Sequence, residues 1–534
     1  MSVLPALSAF NVLCAVSALW LLSKAVQHLR QRTRSTRLEG PPNPSFLFGA
    51  ARFITKAPDG GDLYEEWSEK YGPVFSIPAT LGLSRVALCD PKAVLHFFSR
   101  ETYGYVQSTM TKRAIENLVG RGVLWAEGDS HKRQRKALSP AFSNAEIRKM
   151  TSVFYDSAYK VKTAWDSLLE SEVGGSAVIN VQGWMNHVSL DTIGIAGFSH
   201  DFGTLHGKHS TVASTFDAFG TLKPTLLGGM QFIIGLVFPW VLKIPTPFRK
   251  LVNKLNTHMG EIAQELLENT RKESEGESKT EEKSIIGLLI KAEKSDSELR
   301  MSEDEVLAQM KVLILAGYET TSISLTWCLL ELCKKLEIQE KLRKELLEFS
   351  GSDPTWDQFT YGLPYLDAVV HETLRLHPPL GETTRVATED DVIPLSSPMR
   401  AANGQLVDSI AIPKGQLVTV PIHMMNKSIK FWGPDAKEFN PERWLNEDGI
   451  PKRAQEIQGH RHLLTFVDGP RTCLGKHFAL AEFKAVLSVL IRHYAFELRD
   501  GPETKVEIRR GILPRPSIAG EEGARLPLRV RRLD

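Results

Sequence analysis

Near its C-terminal end the chain reads Phe466-Val467-Asp468-Gly469-Pro470-Arg471-Thr472-Cys473-Leu474-Gly475, a lone cysteine in a glycine-bracketed loop. Apolar residues then recur as Leu480, Phe483, Val486, Leu487 and Leu490, which predicts an amphipathic helix from Gly475 to Tyr494. A cysteine at the start of that helix has backbone N–H groups and the positive dipole end beside it, and both lower a thiol pKa. Gly469 and Gly475 allow backbone to pass close to a flat or bulky group. Arg471 puts a cation two residues from the sulfur. A thiolate ligand to haem iron needs this set: an ionised thiol, N–H donors to sulfur and a cation for a propionate. The commoner fate of a lone buried cysteine is inert packing.

A second stretch has the residue types for proton delivery. Ser302-Glu303-Asp304-Glu305 has the form of a capping box, and the helix it starts is expected to reach about Lys334. Inside it lies Ala316-Gly317-Tyr318-Glu319-Thr320-Thr321, an acid and two threonines in otherwise apolar surroundings. A threonine can bond back to the carbonyl one turn earlier, and Gly317 leaves room for a small ligand. Splitting dioxygen at a metal requires proton delivery while bulk water is kept out, a task that suits a hydroxyl beside a carboxyl group.

These two stretches resemble the cytochrome P-450 superfamily. The first matches its signature Phe-x-x-Gly-x-Arg-x-Cys-x-Gly at every fixed position, and the second matches Ala/Gly-Gly-x-Asp/Glu-Thr-Thr/Ser, in the expected order. The resemblance implies haem b with Cys473 as axial thiolate. It also implies that Phe466, Arg471 and Gly317 lie at the cofactor, that Thr320 holds the oxygen and that Glu319 relays protons. Glu372-Thr373-Leu374-Arg375 sets opposite charges at i, i+3, and Phe439-Asn440-Pro441-Glu442-Arg443-Trp444 follows. In the family such an acid and two arginines form a buried structural triad, here Glu372, Arg375 and Arg443. Arg385 corresponds to an arginine that meets a propionate. His131 and Arg135, four apart on one helical face, match Trp/His-x-x-x-Arg with the same role; the commoner Trp is here His.

The elements that must position these residues sit in a long chain. At 534 residues, 42% hydrophobic and 24% charged, length alone suggests three or four domains. The resemblance instead implies one large, mainly α catalytic domain with a small β-rich part, residues 46–534. Net charge +2 gives no nucleic-acid footprint. Five cysteines without a C-x-x-C pair argue against a disulfide framework or structural zinc. Met1 to Ser23 carries no charged residue, long enough for a transmembrane helix, and Lys24, Arg30, Arg32, Arg34 and Arg37 follow. The positive-inside rule leaves the remainder cytosolic. This predicts a single-pass anchor (1–23) in the endoplasmic reticulum membrane, then a basic segment and proline-rich hinge (24–45).

Val74 to Asp90 and Val392 to Met425 read as β-hairpins, the latter with a turn at Asn403-Gly404. Asn269 to Lys283 is rich in charge with almost nothing apolar and reads as a solvated loop. Thr225 to Leu242 is uncharged but interrupted by glycines and a proline, which suits a surface segment dipping into lipid as well as ordinary core. The run His131-Lys132-Arg133-Gln134-Arg135-Lys136 is the densest basic cluster of the body and would steer an acidic redox partner.

The activity implied by the resemblance is that of a microsomal, fungal-type monooxygenase. It would insert one atom of O₂ into a lipophilic substrate, with terpenoid or steroid favoured. No flavin or nicotinamide domain is recognisable, so NADPH–cytochrome P-450 reductase, with cytochrome b5 as a further donor, would supply electrons. By family position Phe216, Phe219, Leu313, Leu380, Ile512 and Leu513 would wall the pocket. The rivals are O₂-independent rearrangement or dehydration on the same fold, and a non-catalytic haem-binding protein. The intact Glu319-Thr320 pair counts against both.

Overall fold

The computed structural model describes residues 34–533 except 58, 173, 222–225, 239, 242–243, 276–284, 295–298, 350 and 522. It also describes residues 11, 14–19 and 22–23. The anchor expected over Met1–Ser23 therefore lies largely outside the described residues. Helices dominate, and the strands form small sheets. The chain divides into two compact units: Met1–Met110, Lys223–Thr246 and Glu382–Pro421 form one, and Thr111–Leu222, Pro247–Gly381 and Ile422–Asp534 the other.

The first unit holds the β-rich part. Its five-stranded sheet runs in spatial order Val74–Pro78, Ser84–Leu88, Leu417–Val420, Thr383–Ala387, Tyr105–Val106. The first pair is the expected antiparallel hairpin, Val74 opposite Leu88 and Pro78 opposite Ser84. The second expected hairpin spans Asp391–Arg400 and Leu406–Ile412, and its turn uses Gly404 at φ +80°. The start of the segment expected as a stiff hinge lies against the strand Val74–Pro78. Ser76 N–H donates to Glu39 O at 2.8 Å, and a Cβ on Gly40 would lie 1.7 Å from Ser76 O. Only glycine allows that approach, so the segment is docked along a strand.

The second unit is helical and built around Glu303–Lys334. Ser302 accepts from Glu305 N–H while the Glu305 carboxylate accepts from Ser302 N–H at 3.0 Å, so the expected capping box is formed. Among the described residues this is the one helix long and apolar enough to cross a membrane, yet 83% of its apolar window is buried inside the protein. It is a core helix. It packs against Val181–Phe198, Lys476–His493 and the strand Pro514–Ile518. That strand pairs antiparallel with Val506–Arg510, while Tyr494–Leu498, Pro527–Arg532 and Ser176–Asn180 form a three-stranded sheet.

One expectation fails here. Residues 269–275, read as loop, complete the helix Pro247–Glu275. Glu, Lys and Arg are strong helix formers even without an apolar stripe. Arg271 is moreover tied to Glu293 at 2.5 Å and to Glu303 at 3.5 Å, so its charge is used within the fold.

Candidate functional site

The cysteine loop is shaped by its own backbone. Val467 and Gly469 take left-handed φ values of +57° and +69°, and a short 3₁₀ turn spans Gly469–Arg471. Cys473 N–H donates to Phe466 O at 2.8 Å, closing the loop. The helix Lys476–His493 begins directly after Gly475, in agreement with the sequence period. Cys473 is exposed, yet enough protein surrounds the thiol for desolvation to raise its pKa. The Gly475 N–H, Arg135 and Lys476 act in the opposite direction and favour the thiolate. Without a bound cation desolvation wins, so the expected depression of the thiol pKa is only partly met by the chain. The buried thiols Cys328 and Cys333 are pushed up by burial, which outweighs Thr373 at Cys328 and Lys334 at Cys333, Cys328 to about 12.

Three basic side chains converge beside the sulfur. His131, 3% exposed, is pushed down to about 4 by burial and by the nearby Arg471 and Arg135. Arg135 is lowered by burial, raised by Cys473 and lowered by Arg471. The mutual repulsion marks a place that an anion would relieve. Arg471 donates through Nη2 to Ala126 O at 2.6 Å and to the Glu127 carboxylate. Its Nε is buried and makes no hydrogen bond. An orphaned guanidinium N–H, the Arg135 cation, the His131 ring and an accessible, desolvated thiol fit a haem b with propionates and an axial sulfur. Glu127 is a site residue that local sequence reasoning missed, because no spacing links it to Arg471.

Between its exposed ends, Glu303 and Asp304 on one side and Lys334 on the other, the long helix opens around Ala316. Ala316 is exposed, and Gly317 and Thr320 are partly so, while Tyr318, Glu319 and Thr321 are buried. Thr320 Oγ1 donates to Ala316 O at 2.8 Å, the expected back-bond. Gly317 serves packing more than ligand room: a Cβ there would lie 2.8 Å from Ile193 Cγ1, so the helix Val181–Phe198 occupies that space. Glu319 does not share the accessible face. Its carboxylate accepts from Arg515 Nη2 at 2.6 Å, with both side chains 2% exposed.

The scaffold triad comes together in full. Glu372 accepts from Arg375 Nε and Nη2, both at 2.8 Å, from Arg443 Nε at 3.1 Å, from Asn440 N–H at 2.9 Å and from Trp444 Nε1 at 2.9 Å. Arg375 spends its remaining donors on Asn426 O, Ala436 O and Glu438 O. Phe466 reaches this region through His460: their rings are 5.7 Å apart, and His460 Nε2 is 3.1 Å from His371 Nε2.

Arg385, in the other unit, is bound to the buried Glu101 at 2.9 Å. Among the expected pocket walls Phe219 and Leu313 are buried, Ile512 and Leu513 half-buried and Leu380 exposed; the side chain of Phe216 lies outside the described ones. The basic cluster divides. Lys132 and Lys136 are exposed, but Arg133 turns inward to Glu305 at 2.5 Å and to Arg300 O.

Residues 39–518 match the protein family described as Cytochrome P450. The chain is 62% identical over 528 residues to cytochrome P450 monooxygenase claP of Ampulloclitocybe clavipes, covering 98% of each chain. It is 60% identical over 535 residues to claO of the same organism, covering 99% of each. To ganoderic acid synthetase CYP5150L8 of Ganoderma lucidum it is 34% identical over 499 residues, 88% of this chain and 89% of that one.

Proposed function

Since the chain belongs to the cytochrome P450 family, whose monooxygenases carry haem b on a cysteine thiolate, we propose that Cys473 is that ligand in a membrane-bound lipid monooxygenase. The reaction is R–H + O₂ + 2e⁻ + 2H⁺ → R–OH + H₂O. The electrons come from NADPH through the separate membrane-bound reductase, with cytochrome b5 as a further donor. Bound haem supplies dioxygen activation, which no side chain of the protein can. The chain's own contribution is positioning, charge and protons.

At the sulfur, the Gly475 N–H, Arg135 and Lys476 offset part of the desolvation that favours the thiol, and would favour the thiolate once haem iron is bound. Arg471, Arg135 and His131 receive the propionates, with Arg471 Nε already desolvated for that bond. Thr320 presents its hydroxyl on the accessible stretch around Ala316 and, on releasing its Ala316 back-bond, would be free to hold and pass on a proton. Glu319 restores the proton that Thr320 gives up.

Ile512, Leu513, Leu313 and Phe219 offer apolar walls, which supports a lipophilic substrate. Terpenoids or steroids suit such walls, and one relative is named for ganoderic acid synthesis. Membrane attachment is supported by the uncharged Met1–Ser23 and its basic flank. Exposed Phe46, Phe53, Met230, Ile234 and Trp240 support it further. They lie on segments that touch: a Cβ on Gly229 would meet Arg52 at 3.1 Å and Phe48 at 3.5 Å. In this reading residues 46–534 form the cytosolic catalytic body at the endoplasmic reticulum.

The accessible, desolvated thiol beside an unpartnered arginine N–H carries the proposal. Carbon monoxide added to the reduced protein tests it. The carbonyl complex should show the red-shifted Soret band of thiolate ligation, and Cys473→Ser should remove it. A band that survives the substitution, or never forms, refutes the assignment.

A further inference from the structure

The proton-supplying acid of the proposed mechanism is not free to act where it stands. Glu319 precedes Thr320 by one residue, about 100° around the helix, and so falls on the buried side. There its carboxylate meets Arg515 Nη2 at 2.6 Å, and neither side chain is more than 2% exposed. Burying two such charges costs several kcal/mol per ion and is tolerated only because they meet. A carboxylate left alone in that place would take up a proton instead.

Arg515 is held in a rigid setting. Pro514 and Pro516 flank it, which fixes φ on both sides and confines Arg515 itself to extended backbone. The strand Pro514–Ile518 is in register with Val506–Arg510, Arg515 opposite Arg509, and packs on the long helix. Residues 515–518 are buried, whereas the turn before them, Gly511–Leu513, is half-buried. The guanidinium therefore sits at a fixed point beside the helix, and Glu319 can reach the accessible face only by leaving it.

We infer that Arg515 is the positioning residue of proton delivery: it stores Glu319 as a carboxylate off the accessible face, and opening of this pair sets the supply of protons to Thr320. The inference rests on the role given above to Glu319 and Thr320. It assigns a function to the C-terminal hairpin that no local motif carries.

The test uses the haem-loaded enzyme with Arg515→Gln, Arg515→Lys, Glu319→Gln and the double variant Arg515→Gln/Glu319→Gln. Arg515→Gln should add a protonated-carboxyl stretch to the infrared spectrum that the wild type lacks and the double variant lacks again. Its product yield per O₂ should fall about tenfold, less than the roughly 10²–10⁴-fold that direct proton transfer contributes because Arg515 acts only through Glu319, with a changed solvent isotope effect. Arg515→Lys should recover most of that yield and show no new stretch. The double variant should behave as Glu319→Gln alone within about twofold, since both changes act through one group. No new stretch, or losses that multiply in the double variant, overturns the inference. If Arg515→Gln fails to load haem, the double variant should load it, because the lone carboxylate is gone; a double variant that also fails shows a purely structural arginine and overturns it too. Glu319→Gln with unchanged yield and isotope effect instead sinks the role of Glu319 itself, whereas an effect of Glu319→Gln without one of Arg515→Gln sinks only that of Arg515.

Discussion

Replacing Glu372 by Ala should be among the most damaging single changes outside the cysteine loop. The carboxylate accepts five hydrogen bonds, and its partners Arg375 and Arg443 have side chains only 0% and 3% exposed. Removing the anion leaves two buried guanidinium groups facing each other without compensation. Breaking a buried pair in this way costs about 3–5 kcal/mol, against a total stability of about 5–15 kcal/mol for a typical domain. A shift of 1 kcal/mol moves the melting point by roughly 2–4 °C in domains of 150–250 residues. Thermal unfolding followed by circular dichroism should therefore shift down by about 6 °C or more, and the haem-loaded fraction should drop with it. Lys341→Ala is the control: its pair with Glu442 has side chains 60% and 46% exposed, and such a pair contributes about 0–1 kcal/mol. If Glu372→Ala melts within about 2 °C of wild type and loads haem fully, the network is not what holds this part of the fold, and the argument from buried charge fails.

Two further outcomes follow from the same geometry. Reversing the exposed Lys132 and Lys136 to Glu should slow reduction by the reductase most at low salt, where surface charges are least screened; Arg133→Ala should instead lower thermal stability, since its charge is committed to Glu305. A reduction rate independent of salt in both proteins would remove this helix from partner docking. Glu331 is pushed up by burial but drawn down more strongly, to about 2, by the His377 hydrogen bond and by Lys334. His377, stacked on Trp327 at 4.0 Å, is itself lowered by burial against the opposing pull of Glu331. Because the folded pKa lies below the ordinary 4.5, the stabilisation is complete above about pH 4.5 and is lost as pH falls towards about 2. Glu331→Gln should flatten the acid limb of the stability curve in that window, measured by denaturant unfolding at stepped pH; an unchanged limb rejects the assignment.

What the residues disclosed in advance was local. The cysteine loop, the helix after it and the Ser302–Glu305 cap are all fixed by residue type at short spacing, and they form where expected. The Glu372–Arg375 pair was readable because i, i+3 places both on one face. What escaped was pairing across distance. Nothing around Glu319 announces Arg515, nothing around Arg471 announces Glu127, and Arg133 looked like one more solvated cation. A charge pattern gives the sign of a side chain but not its destination, which the packing of remote segments decides. The same blindness made residues 269–275 look like loop: their composition was read as solvation, while propensity and the Arg271–Glu293 pair held them helical.

The inward turn of Arg133 makes Glu305 a latch. Gln134 Nε2 donates to Glu305 at 2.9 Å, Gln309 Nε2 donates to Gln134 Oε1 at 2.7 Å, and Gln309 Oε1 accepts from Val123 N–H at 2.9 Å. A continuous polar zipper thus fastens the segment Gly128–Leu138 to the opening turns of Glu303–Lys334. The same Glu305 carboxylate accepts from Ser302 N–H, so one side chain both closes the cap of the long helix and ties it to its neighbour, and losing it would undo both.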